Sequence, residues 1–454
     1  MKAFKAYDIR GIWGEDLNYD LVFKAGYFLP GLLQSNTILV GRDCRNSSDE
    51  VFEALSSGIM AAGASVHDAG LCTTPMIYWA TARNGYAASV MITASHNPAK
   101  YNGLKVSAAD ALPVGYDNGL NKLEQMIEHH SVVENESRGI IQKVDYHNSY
   151  LTFLSQYKPT TSGLKITLDC SNGMSSLFVR DLFPEHTIFL NDTPDGNFPA
   201  HEPNPLEAEN RHQLMEHVLE NKCDLGIIFD GDADRVMFLD EKGTFVSPDL
   251  IIALLGHYFF EIKKDNGVVL QDIRSSRAVG EYLAKNFGAS VHTWRVGRAY
   301  GAGKLREIDG VFGGELAGHY YFRDFYYSDS GLVAALIVLG LVQQFKQKGN
   351  TFSQVISSIS SYYNSGEINF RIEDKEQAMK QVSDHFKATA NPVSILDFDG
   401  IRLDFEGWWF NIRPSNTEPY LRFIAEAKDP EKLRQIIEET HSIIEQLKKS
   451  SGNS

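Results

Sequence analysis

Cysteine is scarce in this chain, and no cysteine stands close to another. Cys44, Cys72, Cys170 and Cys223 are widely spaced, and no two of them form a C-x-x-C pair. This spacing argues against a disulfide framework and against a zinc site, and it favours reduced core thiols. We therefore expect a cytoplasmic protein.

Long apolar runs are missing as well. The first twenty residues lack the uninterrupted apolar segment of a signal peptide. The most apolar stretch, residues 331–340, is far shorter than the roughly 20 residues that span a bilayer. We interpret this stretch as a buried helix and expect no membrane partner.

Basic residues are outnumbered by acidic ones. The chain has 43 Lys and Arg residues against 58 Asp and Glu residues, which gives a formal net charge of -15. Such a surface repels nucleic acid and anionic lipid, so neither is an expected partner. An anionic substrate would need arginines that reverse this field locally.

Nucleotide-binding signatures are absent too. No G-x-G-x-x-G follows a strand-like run, and "GAGKL" at residues 301–305 lacks both the P-loop spacing and the Ser or Thr after its lysine. The sequence therefore disfavours a dinucleotide site.

Short β-branched runs recur along much of the chain, each followed by a Gly-containing turn and a helix-like segment. Examples are "NTILVGRD", "YAASVMITA", "LKITLDCSNG", "DLGIIFDGDAD" and "GVVLQDIRSS". This alternation is typical of α/β domains with mixed, largely parallel sheets. In such sheets ligands bind at the carboxyl ends of the strands.

A chain of 454 residues is too long for one ordinary core. We predict three similar α/β domains, at residues 1–144, 145–248 and 249–364, and a C-terminal α+β domain at residues 365–454. The last unit has alternating runs typical of antiparallel strands, and then a helix that Asp429 caps.

The sharpest candidate site is "LGIIFDGDADR". Asp230, Asp232 and Asp234 alternate after a strand-like run and can converge on one hard divalent cation. The motif is not a calcium-binding EF-hand loop, because Arg235 occupies the sixth position, where Gly is required, although Glu241 does occupy the twelfth. A solvated acidic turn and a phosphatase with an aspartate nucleophile remain open alternatives.

A second candidate is Ser95 in "MITASHNPAKYNGLKV". The G-x-S-x-G elbow of a hydrolase is absent, and His96 is adjacent to the serine and so poorly placed as its base. Ser95 could simply cap a turn. Lys105, ten residues on, could return an amine to the serine, or it could be a solvated surface group.

Two later loops add anion-binding and hydroxyl-binding groups. "FGGELAGHYYF" places a carboxylate and an imidazole, Glu315 and His319, on a Gly-rich loop that a ligand can approach closely. "IRPSNTEPYLR" offers guanidinium and hydroxyl donors for a phosphate, from Arg413, Ser415, Asn416, Thr417 and Arg422. Each loop alone is a weak signal.

Together these motifs resemble a known family. "TASHNP", "DGDADR", "GGELAGH" and "RPSNTEP" resemble, in this order, the four signature loops of the α-D-phosphohexomutases, closest to the bacterial phosphomannomutase/phosphoglucomutase branch. "FKAYDIRG" is similar to that branch too, so the resemblance covers essentially the whole chain. It implies four domains around a central cleft.

The resemblance also implies a mechanism. Ser95 would carry a phosphoryl group, an oxygen of which binds Mg²⁺ together with Asp230, Asp232 and Asp234, while Arg235 stabilises the same charge. The phosphatase alternative then fails, because the aspartates hold metal. Hexose 1-phosphate and hexose 6-phosphate would interconvert through a hexose 1,6-bisphosphate, which also serves as activator.

The remaining roles follow from the same resemblance. Glu315 would grip sugar hydroxyls, residues 413–417 would hold the phosphate that is not transferred, and Lys105 and His319 would act in acid-base catalysis. The residues implied to line the cleft are His96, Tyr7, Arg10, Arg274, Arg295, Gly297 and Arg298.

Some positions depart from the family pattern. Leu316 and Ala317 replace the usual Met and Ser of the sugar loop, and Arg298 stands where relatives often have His. Asn416 argues against the glucosamine branch. We expect a mannose and glucose phosphate mutase, as a monomer or homodimer. The alternatives are a mutase for phosphoglucosamine or another phosphosugar, and a catalytically silent phosphosugar-binding protein.

Overall fold

The computed structural model describes residues 1–133, 135–160, 163–415 and 420–451, and within these the chain forms four β-sheets in succession. Among the described residues, no helix combines the length and apolar character needed to cross a membrane. The thiols of the cysteines named above are all free.

The first sheet is a mixed one. Its strands are β1 Ile9–Ile12, β2 Thr37–Arg42, β3 Ser65–Leu71, β4 Ala88–Ile92, β5 Tyr101–Ala108 and β6 Ile141–Lys143, in the spatial order β1-β5-β4-β2-β3-β6. Its helices are α1 Tyr19–Leu33, α2 Ser48–Ala61, α3 Thr74–Arg83 and α4 Leu120–His129. Strands β4, β2, β3 and β6 are parallel, whereas β5 and β1 extend the sheet in antiparallel fashion.

The second sheet repeats this plan. Its strands are β7 Ile166–Asp169, β8 Ile188–Leu190, β9 Leu225–Phe229, β10 Val236–Leu239 and β11 Phe245–Val246. The helices here are α5 His147–Ser155, α6 Val179–Leu182 and α7 His212–Glu220. Strands β8, β7 and β9 are parallel, and β10 and β11 continue from β9 as an antiparallel edge.

The third sheet follows the plan once more. Its strands are β12 Val268–Asp272, β13 Ser290–Trp294, β14 Phe312–Gly314, β15 Tyr320–Phe322 and β16 Ser328–Asp329. The helices are α8 Pro248–Gly256, a π-helical turn His257–Ile262, α9 Arg277–Phe287, α10 Arg298–Glu307, α11 Gly331–Gln347 and α12 Phe352–Ile359. Strands β13, β12 and β14 are parallel, and β15 and β16 form the antiparallel edge.

The fourth sheet is antiparallel in the pairs described. Its strands are β17 Tyr363–Asn364, β18 Ile368–Arg371, β19 Ser394–Leu396, β20 Ile401–Phe405, β21 Trp408–Pro414 and β22 Tyr420–Ala427. Helices α13 Lys375–Thr389 and α14 Pro430–Ser451 belong to this unit. Single-turn helices lie at Ala109–Ala111, Tyr116–Asn118, Met174–Leu177, Glu209–Arg211 and Arg323–Phe325.

The expected succession of α/β units and a final α+β unit is confirmed. Residues 331–340 do form a buried helix, because they lie in α11. Helix α13 was not anticipated from the sequence. The domain boundaries at residues 144, 248 and 364 stay predictions.

A common position in the first three sheets holds the candidate site loops. In each sheet, the parallel part turns into the antiparallel edge through one hairpin, namely β4–β5, β9–β10 or β14–β15. These hairpins carry residues 93–100, 230–235 and 315–319. Equivalent loops of three units therefore carry three different candidate groups.

One large hydrophobic cluster extends across the first three units, beside separate clusters within each of them. One cluster joins Met76 of α3, Phe229 of β9 and Phe312 of β14, together with most of α11. The fourth unit has a separate cluster around Phe410 and Ile436. Burial of shared apolar surface thus ties the first three units together but does not extend to the fourth.

Candidate active site

Ser95 lies in the β4–β5 hairpin and is almost completely buried. Its Oγ donates a hydrogen bond to Asp230 Oδ2 over 2.8 Å, and its backbone N–H donates to Thr93 Oγ1 over 2.9 Å. The backbone of Ser95 is left-handed, with φ 52°. Such a conformation is uncommon outside glycine, so the surrounding contacts must hold it.

The aspartates follow β9 and turn inward. Asp230, Asp232 and Asp234 have no exposed surface. Burial, followed by the charges of Asp234 and Asp232, raises the pKa of Asp230 well above its ordinary value. Three buried carboxylates in one loop need positive charge close by.

Part of that charge comes from Lys105 on β5. Its Nζ lies 2.7 Å from Asp232 Oδ2 and 2.5 Å from Asp234 Oδ2. Burial acts to lower the pKa of this ammonium, but the two carboxylates raise it by more, so the pKa is raised overall. Lys105 is therefore held in its charged form. From the start of α3, the Thr74 hydroxyl also donates to Asp232 Oδ2, over 2.5 Å.

The carboxylates fit a divalent cation. One oxygen from each of Asp230, Asp232 and Asp234 lies within 4.8 Å of the others. Asp232 Oδ1 and Asp234 Oδ1 are buried and have no hydrogen-bond partner among the described residues. Buried oxygens without a donor are costly, and carboxylate oxygens are the ligands that hard cations prefer. These residues could hold a metal next to Ser95.

His319 joins the second and third units. Arg235 Nε donates to His319 Nε2 over 3.0 Å, so Nε2 is the acceptor nitrogen of the ring. The proton then sits on Nδ1, which lies 2.6 Å from Asp329 Oδ2. The Arg298 Nε–H bonds the other oxygen of Asp329 over 2.9 Å. Asp329 thus orients both side chains.

Glu315 is buried behind the same cleft. Its oxygens accept hydrogen bonds from the Tyr321 hydroxyl, over 2.5 Å, and from the Gly297 N–H, over 3.0 Å. Burial raises the pKa of Glu315. Gly297 has φ 114°, and a Cβ there would lie 2.4 Å from the Tyr7 ring, so only glycine fits.

These groups surround a cavity of about 130 Å³. It is rich in cations despite the acidic surface of the chain. Its polar lining residues are Tyr7, Asp8, Arg10, Ser95, Lys105, Asp234, Arg235, Arg298, Glu315 and His319, and the wall also contains Val106, Val296, Gly297, Ala299 and Ala317. The structure therefore brings together residues of three hairpins and of the N-terminal segment.

A larger cavity of about 1060 Å³ lies against the fourth unit. His96, Arg274 and Arg422 line it. Burial, followed by the charge of Arg235, lowers the pKa of His96 well below its ordinary value, so this imidazole is neutral. Arg274 is held by Asp272, with Nη2 at 2.8 Å from Oδ2.

The structure gives contacts for some of the remaining predicted site residues, but not for all of them. Arg413 and Arg422 both face Glu367, at 3.7 and 3.1 Å, and the Ser415 N–H bonds Tyr420 O. Arg295 packs over the Tyr300 ring at 4.0 Å and is not among the residues lining either cavity. Asn416 and Thr417 lie outside the described residues.

Sequence reasoning missed Thr74, Asp329 and Tyr321. Each acts through a contact with another side chain, which lies six positions away for Tyr321 and Glu315 and 158 positions away for Thr74 and Asp232. The only local signal for Asp329 is the short sequence "SDS" at residues 328–330, which follows the loop of residues 315–319. No local pattern marks Thr74.

Family models match the chain in four consecutive segments. The alpha/beta/alpha domains I, II and III of phosphoglucomutase/phosphomannomutase match residues 1–133, 145–243 and 247–362, and the C-terminal domain matches residues 367–442. The four-unit fold, with an acidic cluster that could hold a metal in one of its hairpin loops, is therefore that of enzymes acting on phosphosugars.

Relatives agree over nearly full length. The chain is 33% identical to a phosphomannomutase of Methanocaldococcus jannaschii, over 98% of each chain. It is 36% identical to an enzyme named phosphohexose mutases from Xanthomonas campestris pv. campestris, over 94% of this chain and 95% of that one. A phosphoglucomutase/phosphomannomutase family protein of Burkholderia thailandensis shares the fold, with a TM-score of 0.87, 24% identity and coverage of 98% and 97%.

The chain belongs to the phosphoglucomutase/phosphomannomutase family, and its activity is that of a phosphohexose mutase.

Proposed function

We propose that this enzyme interconverts the 1- and 6-phosphates of mannose and glucose through a phosphorylated Ser95 and a hexose 1,6-bisphosphate. One observation carries the proposal. Ser95 Oγ lies 2.8 Å from Asp230 Oδ2, inside a carboxylate cluster in which Asp232 and Asp234 each keep one buried oxygen that no described residue bonds. A hydroxyl in that place can take a phosphoryl group whose charge a cation balances.

Mg²⁺ is the cation we assign to this cluster. Asp230, Asp232 and Asp234 would hold it, together with an oxygen of the phosphate on Ser95. All donors are then oxygens, as this ion prefers. When bound, Mg²⁺ supplies charge neutralisation for the phosphoryl group in transfer.

In the first half-reaction the bond between Ser95 Oγ and phosphorus breaks, and a bond from phosphorus to the free sugar hydroxyl forms. That hydroxyl loses its proton to His319 Nε2 once Arg235 Nε has moved from this nitrogen to the phosphoryl oxygens, and Lys105 supplies a proton to the serine oxygen. Arg235 lies between His319 and Asp230, because its Nε is hydrogen-bonded to His319 Nε2 and lies 3.9 Å from Asp230 Oδ2. Its guanidinium stabilises the negative charge that develops on the phosphoryl oxygens.

In the second half-reaction the bisphosphate turns over within the cleft, and Ser95 recovers the other phosphoryl group with the proton transfers reversed. The phosphate that is not transferred needs its own site in both poses. We assign it to the loop 413–417 and to Arg422, which faces the larger cavity. Arg10, Arg274 and Arg298 supply further positive charge along the cleft, and His96 contributes a neutral ring.

The sugar preference depends on the third hairpin. Glu315 would accept hydrogen bonds from two sugar hydroxyls, whereas Ala317 contributes no hydroxyl of its own. One such missing bond is worth about 0.5 to 1.5 kcal/mol, which shifts preference without preventing binding. The partner is thus a small phosphosugar. We propose a cytoplasmic monomer or homodimer, and the free cysteine thiols suit that compartment.

A side-by-side assay tests this proposal. Purified enzyme is given mannose 1-, glucose 1- and glucosamine 1-phosphate, with Mg²⁺ and hexose 1,6-bisphosphate. Ser95→Ala should lose mutase turnover and should take up no phosphate in intact-mass spectra. The matched control is Ser89→Ala, a buried serine on strand β4, which leads into the Ser95 hairpin loop, and this variant should stay active.

The outcomes separate the alternatives. Preference for glucosamine 1-phosphate would favour the phosphoglucosamine alternative. No turnover of any sugar, with no phosphate on Ser95, would favour a silent binding protein. Full activity in Ser95→Ala would rule out the phosphoserine mechanism.

A further inference from the structure

Arg45 lies behind the Ser95 hairpin, in the segment between β2 and α2, and its side chain is fully buried. Its Nη1 donates to the carbonyls of Pro98 and Tyr101, over 2.7 and 3.0 Å. Its Nη2 donates to the carbonyls of Ser95 and Asn97, over 2.9 and 2.6 Å. One guanidinium therefore binds four backbone oxygens around the hairpin loop.

The fifth N–H of this guanidinium also has a partner. Arg45 Nε donates to Asp43 Oδ2 over 3.1 Å, and Asp43 in turn accepts the Ser48 hydroxyl over 2.6 Å. The Asp43 N–H bonds Ile92 O at the end of β4. All five donors of a planar fork are thus used, and the fork itself is anchored to the strand that delivers Ser95.

The second unit covers the other side of Arg45. The Phe198 ring lies 5.0 Å from Arg45 Cζ, and the Asn46 amide donates to Asn197 Oδ1 over 2.8 Å. At Gly196, an added Cβ would lie 2.4 Å from Cys44 O, so the two backbones are in close contact. The loop of residues 195–198 therefore presses the guanidinium against the Ser95 hairpin, from the unit that also carries Asp230.

We propose that Arg45 is a positioning residue for phosphoryl transfer, which holds the Ser95 hairpin so that Ser95 Oγ stays beside Asp230. This inference rests on the proposed role of Ser95 as phosphoryl carrier. Ser95 has a left-handed backbone that a free loop would leave, and the bond from Arg45 to Ser95 O restrains that residue directly. Arg45 itself lines neither of the two cavities described above.

Arg45→Lys is the first test, because a lysine keeps the charge but offers at most three donors from one point. We expect kcat to fall about 100-fold, the loss that follows a misplacement of roughly 1 Å, while KM for hexose 1-phosphate stays close to the wild-type value. The rate of Ser95 phosphorylation by hexose 1,6-bisphosphate, followed by intact mass, should fall by a similar factor. Added guanidinium ion should restore part of kcat in Arg45→Ala, and ammonium should not.

The control is Arg306→Lys. Arg306 Nη2 also donates to two carbonyls, Asp110 O and Tyr326 O, but outside both cavities. It should keep wild-type kcat. If Arg45 variants fail to fold, Asp43→Asn keeps the guanidinium and loosens its anchor, and kcat should fall by a smaller factor at unchanged KM.

Two results have distinct meanings. Wild-type enzyme that takes up no phosphate on Ser95 would contradict the proposed function and not the packing of Arg45. Normal phosphorylation of wild type, with equal kcat in wild type, Arg45→Lys and Asp43→Asn, would overturn the positioning role.

Discussion

Asp329 shows how a single side chain controls two others. It accepts from His319 Nδ1 and from Arg298 Nε, and it has no exposed surface. Arg298 Nη2 is buried and has no hydrogen-bond partner in the part of the chain that the structure describes, and the guanidinium packs over the Tyr78 ring at 3.6 Å. The Arg298 guanidinium is therefore fixed in position by Asp329 and Tyr78.

Asp329→Asn should disturb this arrangement. An amide cannot accept from both neighbours, so the Nδ1–H tautomer of His319 loses its support. We expect kcat to fall at least about tenfold, by analogy with other His–Asp pairs in which the tautomer is lost. Nitrogen NMR of the His319 ring should show the changed tautomer. Asp324→Asn, at an exposed position of the same unit, serves as control, and an unchanged kcat in Asp329→Asn would contradict the role.

Glu426 predicts a pH dependence of stability. Burial, followed by the charge of Asp249, raises the pKa of Glu426 to about 7. Below the ordinary pKa near 4.5 this carboxyl is protonated in both the folded and the unfolded chain, so its contribution to stability is complete. As pH rises toward 7 the unfolded chain loses that proton first, and the free energy of unfolding falls.

Glu426→Gln should remove this dependence. Between about pH 5 and pH 7.5, wild type should lose on the order of 2 kcal/mol of unfolding free energy relative to the variant. Urea unfolding at several pH values measures the difference. Glu406→Gln, at an exposed turn, should parallel wild type throughout. Parallel curves for Glu426→Gln and wild type would contradict the raised pKa.

Site residues that belong to a recognisable local motif can be predicted from the sequence. Residues whose role depends on contacts far away in the sequence cannot. Asp230, Asp232 and Asp234 stand out because their spacing is unusual after a strand. The sequence around Arg45 does not distinguish it from other loop arginines, because the carbonyl oxygens that it binds belong to residues 50 to 56 positions away. Only folding shows which carbonyls it meets.

At the scale of elements, the N-terminus of α11 supports the metal loop, by which we mean residues 230–235 with their three aspartates. The Gly331 N–H donates to Ala233 O over 3.2 Å. A Cβ on Gly331 would lie 2.7 Å from Arg235 O and 2.9 Å from Ala233 O. The helix therefore comes as close to residues 230–235 as two backbones can.

Gly331→Ala should push the metal loop out of place. We expect weaker Mg²⁺ binding, measured by calorimetric titration, because the loop that carries the aspartates must shift. Gly280→Ala in α9 is the matched change, since the nearest atom would lie 3.9 Å from its Cβ. That variant should bind Mg²⁺ normally and gain roughly 0.5 to 1 kcal/mol of stability. Equal metal affinity in both variants would contradict the supporting role of α11.

Strand and helix types followed from the sequence more readily than their arrangement. The β-branched runs at β2, β4, β7, β9 and β12 were recognised, as was the cap of α14, where the Glu431 N–H bonds Asp429 Oδ1. The shared hairpin position of the three site loops was not. It depends on which strand turns antiparallel, and non-local pairing decides that.

At the scale of the whole molecule, the fourth unit is joined to the third by polar contacts and by an aromatic contact between Trp294 and Phe398, whose ring centroids lie 5.3 Å apart. Arg402 Nη1 donates to Ile273 O and Ser275 O, both over 2.8 Å, while the two hydrophobic clusters stay separate. Polar interfaces of this kind permit relative motion more easily than a shared core.

Substrate should therefore close the molecule. Hexose 1-phosphate should lower the radius of gyration measured by X-ray scattering, because its phosphate draws the fourth unit toward the cleft. Arg422→Gln should reduce that change, whereas Arg434→Gln, on the exposed side of α14, should not. Identical scattering of wild type with and without ligand would contradict closure.

The three-hairpin site also has a consequence for how the enzyme acquires activity during folding. Ser95 meets Asp230 across 135 positions, and Arg235 meets His319 across 84. Helices and neighbouring strands form early, whereas contacts of such long sequence separation form late. On dilution from denaturant, circular dichroism should thus recover before mutase turnover, and the interval between them measures how quickly the folded units dock.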